Sequence, residues 1–255
     1  VTDLAPLAGL QGLEILFLWN TDVADLAPLA GLRGLESLYL AHTGVTNPVP
    51  LARLLALTAL DLAATRVTDL APLAGLERLE TLGLSATRVT DLAPLAGLDR
   101  LQGLSLSSTR VTDLSPLAGL RRLQRLDLMD TGVEDLAPLS ELRELQYLCL
   151  ASTGVTDVRP LAGLRKLEGL ILAGARVTDL APLAGLTGLE SLDLFGCRPA
   201  VPARLLRSFA DLPGLSELVA DEATGVPREV LSLDCFDNCL PRLRAYLSGT
   251  TVAAV

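Results

Sequence analysis

The chain has 255 residues, 50% hydrophobic, 3% aromatic and 20% charged, with a net charge of −9. A chain of this length and apolar content can bury a full core and is not intrinsically disordered, and its acidic balance argues against nucleic acid as the main partner. Mean hydropathy is +0.44, yet the stretch Leu51 to Ala64 is broken by Arg53, Thr58 and Asp61, so no run reaches the roughly 18 apolar residues of a membrane-spanning helix.

At the start there is no initiator Met, and no basic segment leads into an apolar core, as a secretory signal would. Val1 already stands in a repeat, so the sequence reads as part of a longer protein. The segment Val67-Thr68-Asp69-Leu70-Ala71-Pro72-Leu73-Ala74-Gly75-Leu76 recurs almost unchanged from Val89, Val111 and Val177. Counted from Val1, the step is 22 residues each time, and nine units fill residues 1–198 without an insertion. Such strict length means that every unit is one turn of the same coil.

Within a unit the apolar positions are regular. In the fourth they are Val67, Leu70, Leu73, Leu76, Leu79, Leu82 and Leu84. The alternation Leu82-x-Leu84 predicts a strand. The period of three from Asp69 to Leu76 predicts one tight helical turn, with Asp69 as its cap and Pro72 in its first turn, where a missing N–H costs little. One strand and one turn cannot bury seven apolar groups alone, whereas stacked units bury them in a continuous core.

The pattern Leu79-x-x-Leu82-x-Leu84-x-x-Thr87 and its copies resembles the leucine-rich repeat family. The unit length, with Asp-Leu-x-Pro-Leu on the convex side, is similar to the short bacterial class found in internalins. The resemblance implies a right-handed α/β solenoid, with a curved parallel sheet on the concave side and short helical turns on the convex side. It also marks a departure. Where the family usually carries Asn or Cys, this chain has Thr21, Thr43, Thr65, Thr87, Thr109, Thr131 and Thr153, then Ala175 and Cys197. A threonine hydroxyl both donates and accepts, so these residues are expected to bond backbone groups of adjacent coils, in a ladder that weakens at Ala175.

The step breaks after Arg198. A longer helix is expected over Ala203 to Phe209, and Leu215-x-x-Leu218-x-Ala220 reads as a degenerate tenth strand within residues 199–224. Residues 225–255 are expected to form a helical cap, with Asp237 capping a helix that carries Leu240, Leu243 and Leu247 on one face. The same region bears a second resemblance. Val226-Pro227-Arg228-Glu229-Val230-Leu231-Ser232 and Asp237-Asn238-Cys239-Leu240-Pro241-Arg242-Leu243-Arg244 are similar to the junction of bacterial Roco-type proteins. There, a repeat domain precedes a Ras-like GTPase. That resemblance implies a larger cytosolic signalling parent.

Catalytic chemistry has little to build on. The sole lysine, Lys166, stands in Leu164-Arg165-Lys166-Leu167, not in the glycine-rich loop that cradles phosphates. A single histidine, His42, removes most acid–base and metal options that rest on imidazole. The four cysteines, Cys149, Cys197, Cys235 and Cys239, are too few for a disulfide scaffold of this size. They read as free thiols in a reducing cytoplasm. Neither enzyme activity nor a cofactor or metal is expected.

What the strands offer is a surface. The positions between strand leucines face away from the core. Glu14, Glu36 and Glu80 recur there, joined by Asp61, Asp127 and Asp130, with Arg125 as the regular cation. Arg66, Arg88 and Arg110 lie at an edge instead. Of eight aromatic residues, Phe17, Trp19, Tyr39, Tyr147 and Phe195 occupy outward strand positions. Aromatics held on a rigid sheet are typical anchors of protein recognition; covering an open solenoid edge is the other use they could have. The expected partner face comprises Phe17, Trp19, Tyr39, His42, Asp61, Arg125, Asp127, Tyr147 and Phe195. The expected partner is protein, not nucleic acid or membrane, and the chain itself is expected to be monomeric. A bacterial immune-type ATPase or an internalin-like surface protein are the alternative parents.

Overall fold

The computed structural model describes residues 1–197, 203–221 and 238–248, with side chains omitted for 203–206. The chain divides into two compact units, Val1–Gly132 and Val133–Val255.

The first unit holds six three-residue strands: β1 (Ile15–Phe17), β2 (Ser37–Tyr39), β3 (Ala59–Asp61), β4 (Thr81–Gly83), β5 (Gly103–Ser105) and β6 (Arg125–Asp127). They pair in chain order, all parallel, and each residue faces its counterpart one repeat further on, as in Phe17 with Tyr39 and Tyr39 with Asp61. Such short strands persist because the ladder extends beyond them. The Glu36 and Ser37 N–H groups both donate to the Glu14 carbonyl at 2.8 and 3.0 Å, and the Leu18 N–H donates to the Tyr39 carbonyl at 2.8 Å.

The helical turns opposite the sheet are 3-10, not α, and most are three residues long, as in Ala71–Leu73. Proline sits at the start of each, where its fixed φ suits the turn. The cap works from one position earlier than a conventional N-cap. Asp69 Oδ1 accepts the Ala71 N–H at 2.8 Å, while the cap position itself is Leu70. Asp25, Asp91 and Asp113 do the same, and Asn47 serves Val49 at 3.0 Å. For Asp113, the Ser115 N–H and then its hydroxyl hold the carboxyl below the usual carboxylate range.

Leucines fill the space between turn and strand. In the second coil Val23, Leu26, Leu29, Leu32, Leu35, Leu38 and Leu40 are all buried, each contributing about 1.5–3 kcal/mol relative to exposure. In the first coil Leu7, Leu13 and Leu16 are only half-buried and Leu10 is 48% exposed.

Leaving the strand, the chain turns through a left-handed residue. Asn20, His42, Ala64, Ala86, Ser108 and Asp130 have φ between 52° and 61°. A non-glycine residue there costs about 1 kcal/mol, and the stacked coil compensates with a bond: the Ala86 N–H donates to the Ser107 carbonyl at 2.7 Å. The threonine that follows corrects the expectation of a ladder between coils. Thr87 Oγ1 donates to the Leu84 carbonyl of its own coil at 2.6 Å, and Thr43, Thr65, Thr109 and Thr131 repeat the bond. The left-handed turn folds the threonine back over its own strand, so the nearest acceptor is local, a carbonyl that also takes the Thr87 N–H at 3.2 Å.

The second unit repeats the scheme with β7 (Tyr147–Cys149), β8 (Gly169–Ile171), β9 (Ser191–Asp193) and β10 (Glu217–Val219), parallel and in order. Between β9 and β10 lies α1 (Ala203–Ala210), and α2 (Leu240–Leu247) follows. Leu240 and Leu243 are buried and Leu247 is half-buried. Asn238 Oδ1 accepts the Leu240 and Leu218 N–H groups, both at 3.0 Å, so one amide opens α2 and ties it to β10. Arg244 Nε donates to the Ala210 carbonyl at 2.9 Å, and its Nη2 to the Leu215 carbonyl at 3.0 Å. This satisfies backbone acceptors after α1. The expected cap Asp237, Arg198, Cys235 and residues 225–232 lie outside the described residues.

Where the threonine series ends, a different donor steps in. Ala175 has no hydroxyl, but the Cys197 thiol reaches the Leu172 carbonyl at 2.9 Å. That is the acceptor a threonine at 175 would have used. Burial pushes the Cys197 and Cys239 thiols up to about 11, which keeps them protonated and unreactive near neutrality.

Thr87→Ala should cost about 1 kcal/mol in urea unfolding, as for a lost internal hydrogen bond. Thr87→Val should not rescue it, and Thr87→Ser should recover most of it. The thiols predict a pH effect of defined sign. Between pH 9 and about 11 the unfolded chain releases thiol protons that the folded chain retains, so stability falls as pH rises. Urea midpoints measured across this range should fall less steeply for Cys197→Ala than for the parent.

Candidate functional site

Phe17, Trp19 and Tyr39 gather at β1 and β2 of the first unit. The parallel register sets Phe17 against Tyr39, and their rings stack with centroids 4.7 Å apart and planes 7° from parallel. Phe17 is 62% exposed and Trp19 59%, so both aromatic surfaces remain in water. Ile15, on the same strand and face as Phe17, is also exposed; sequence reasoning passed over it because isoleucine in a leucine-rich chain reads as core. Only its odd position relative to Leu16 and Leu18 marks it as outward.

Beyond the aromatics the outward strand positions carry shorter side chains. Tyr39 pairs with Asp61, Asp61 with Gly83, and Gly103 stands opposite Thr81. Asp61 Oδ1 accepts the Ala63 N–H at 2.9 Å, which bends the carboxylate over the next strand. A Cβ built on Gly83 would lie 2.5 Å from that oxygen, so a larger residue there would have to displace the Asp61 carboxylate.

At the far end of the unit the surface is polar. Ser85 and Ser105 share a hydrogen bond at 2.6 Å, and Ser105 donates to Asp127 Oδ2 at 3.3 Å. Asp127 Oδ1 accepts the Met129 N–H at 3.0 Å, and Ser108 donates to Asp130 Oδ2 at 3.1 Å. Arg125 is exposed on the same strand as Asp127. The serines were not singled out from sequence, although reading the strand positions as columns one repeat apart would have found them.

His42 occupies a left-handed turn with φ 56°, beside Asn20 in the same column. Its N–H donates to the Ala63 carbonyl at 2.9 Å. Histidine is among the residues enriched in that conformation, so backbone geometry accounts for its place.

Tyr147 and Phe195 belong to the second unit. A Cβ on Gly169 would lie 2.9 Å from the Tyr147 ring, so the ring lies over that glycine. Phe195 is half-buried and its N–H donates to Asp193 Oδ1 at 2.9 Å. Burial, and then Glu217 and Asp221, push the Asp193 carboxyl up, against the bond from Phe195. Basic residues of this unit meet acidic neighbours: Lys166 with Glu144 at 2.6 Å and Arg143 with Glu141 at 3.2 Å. Exposed pairs of this kind add little stability. Among the described residues no group of three or more His, Cys, Asp or Glu is placed to hold a metal, and no helix is long and apolar enough to cross a membrane.

Residues 99–141 match the family model for leucine-rich repeats (two copies). No curated protein matches the chain in sequence. Among solved structures, the chain is similar to an internalin (inlF) from Listeria monocytogenes, at 27% identity and a TM-score of 0.81, over 88% of this chain and 67% of that one. Internalin C2 from the same species is 35% identical with a TM-score of 0.70, over 75% of this chain and 82% of that one. A repeat protein from Leptospira interrogans is 23% identical with a TM-score of 0.78, and the chain spans 57% of its length.

Gly83→Ala should force Asp61 from its bond to Ala63 and cost about 1 kcal/mol. In an Asp61→Ala background the same change should be nearly neutral. A double-mutant cycle by urea denaturation measures the difference.

Proposed function

The chain belongs to the leucine-rich repeat family, and we propose that it is a non-catalytic protein-recognition and regulatory domain of a larger cytosolic signalling protein of the Roco type. The observation that carries recognition is the exposed Phe17–Tyr39 stack beside Trp19. Large apolar side chains left in water on a sheet whose backbone is fixed by its neighbours are suited to bind a partner with little loss of entropy. The Roco parent rests on the sequences 226–232 and 237–244. A repeat domain in such a protein would regulate a GTPase that lies elsewhere in the parent.

A second reading, an internalin-like surface adhesion domain, is favoured by the similarity to internalins. Recognition through the aromatic face is common to both. The full reading frame separates the parents: a phosphate-binding loop ending in Lys and Ser or Thr selects the first, and a secretion signal selects the second.

Trp19→Ala should weaken binding of the partner protein by about tenfold or more in calorimetry. Its melting temperature should stay close to that of the parent, because Trp19 lies outside the leucine core. A large loss of melting temperature with binding intact would make the aromatics an edge cover instead.

A further inference from the structure

We propose that the sheet face of residues 1–132 binds an extended peptide bearing an apolar side chain and, about six residues away, an arginine or lysine. The proposal rests on the recognition reading above and specifies its ligand. Its first support is the aromatic end, where the stacked rings of Phe17 and Tyr39, with Trp19, present an apolar surface more than half exposed at Phe17 and Trp19. An aliphatic or aromatic side chain laid there removes apolar area from water on both partners.

The second support is the opposite end. Asp127 and Asp130 are held by serine hydroxyls and a backbone N–H. Each carboxylate oxygen has two lone pairs, so capacity remains for a guanidinium or ammonium group. Among the described residues, neither aspartate has an ion-pair partner within 4.0 Å. The outward strand positions and those flanking them carry six carboxylates against the single cation Arg125. A cationic partner side chain is therefore attracted to this face and an anionic one repelled.

The third support is what lies between. In the column between Tyr39 and Asp127, β3 to β5 carry Asp61, Gly83 and Ser105, and the next outward column carries Ala59, Thr81 and Gly103, so along these columns a crossing chain meets only short side chains. From Tyr39 on β2 to Asp127 on β6 there are four strand steps. At about 4.8 Å each they span about 19 Å, or about six residues of extended chain at about 3.3 Å per residue. The backbone groups of these strands are already engaged by their neighbours, so the peptide is read by its side chains and runs across the strands.

The test is selection of a randomised, displayed dodecapeptide library on the protein, followed by affinity measurement with synthetic copies of the enriched peptides. Enriched peptides should combine an apolar residue with Arg or Lys at a spacing of about six. Trp19→Ala should weaken them by about tenfold or more, and so should the double change Asp127→Asn with Asp130→Asn. Replacing the peptide's basic residue by Gln should cost the parent protein as much, and the doubly changed protein almost nothing. Circular dichroism and melting of each variant establish that it is folded. Peptides that need Trp19 but carry no basic residue, or that ignore the aspartates, overturn the proposal and leave recognition by the aromatic face standing. If no selected peptide depends on Trp19, both the proposal and the recognition reading fall.

Discussion

The leucines of one coil are covered by the leucines of the next. A single repeat has seven regular apolar positions and only one short strand and one 3-10 turn with which to hide them. Alone it would leave most of that surface in water. Stacked in register, the seven apolar residues of the second coil, from Val23 to Leu40, are enclosed, while in the first coil Leu10 is nearly half exposed. The strict length of the repeat follows from this constraint. An extra residue between two leucines would move every later one off its column, and in the strand would exchange inward and outward positions.

Polar groups then have to be satisfied within a very thin unit. The proline-led turn takes its bond from an aspartate, the left-handed residue donates to the next coil, and the threonine returns to its own strand. Among the described residues no buried side-chain nitrogen or oxygen lacks a hydrogen-bond partner. The exchange at Ala175 and Cys197 illustrates how this is kept: the hydroxyl is lost in one coil, and a thiol in the next reaches the Leu172 carbonyl.

Much of this was legible from spacing alone. The period identified the strands, the turns and the core, and with them the outward direction of Phe17, Trp19 and Tyr39. The Phe17–Tyr39 contact also follows from spacing, since parallel strands one repeat apart must set residues 22 positions apart side by side. What spacing does not carry is the direction of a hydroxyl. A hydroxyl rotates to whichever acceptor the backbone brings near, and the left-handed turn that places Thr87 over Leu84 is made here by Ala86, a residue that does not announce it. The lean of Asp61 over Gly83 was hidden for a similar reason: it depends on a short-range bond to Ala63, whose donor is backbone and so leaves no mark in the sequence. The proposed link to a signalling parent depends on residues 226–244, where repeat periodicity has ended and only local resemblance remains.

Because every coil of the first unit presents the same two faces to its neighbours, the distance between its aromatic end and its aspartate end is quantised. Removing or duplicating one of the coils that carry Gly83 or Gly103 would leave the leucine columns continuous. It would move Asp127 relative to Tyr39 by one strand spacing, about 4.8 Å, or about one and a half residues of extended chain. The repeat is thus a ruler whose length is set in the gene by whole 22-residue copies. Unequal recombination between such copies changes the length of ligand that fits without disturbing the chemistry at either end.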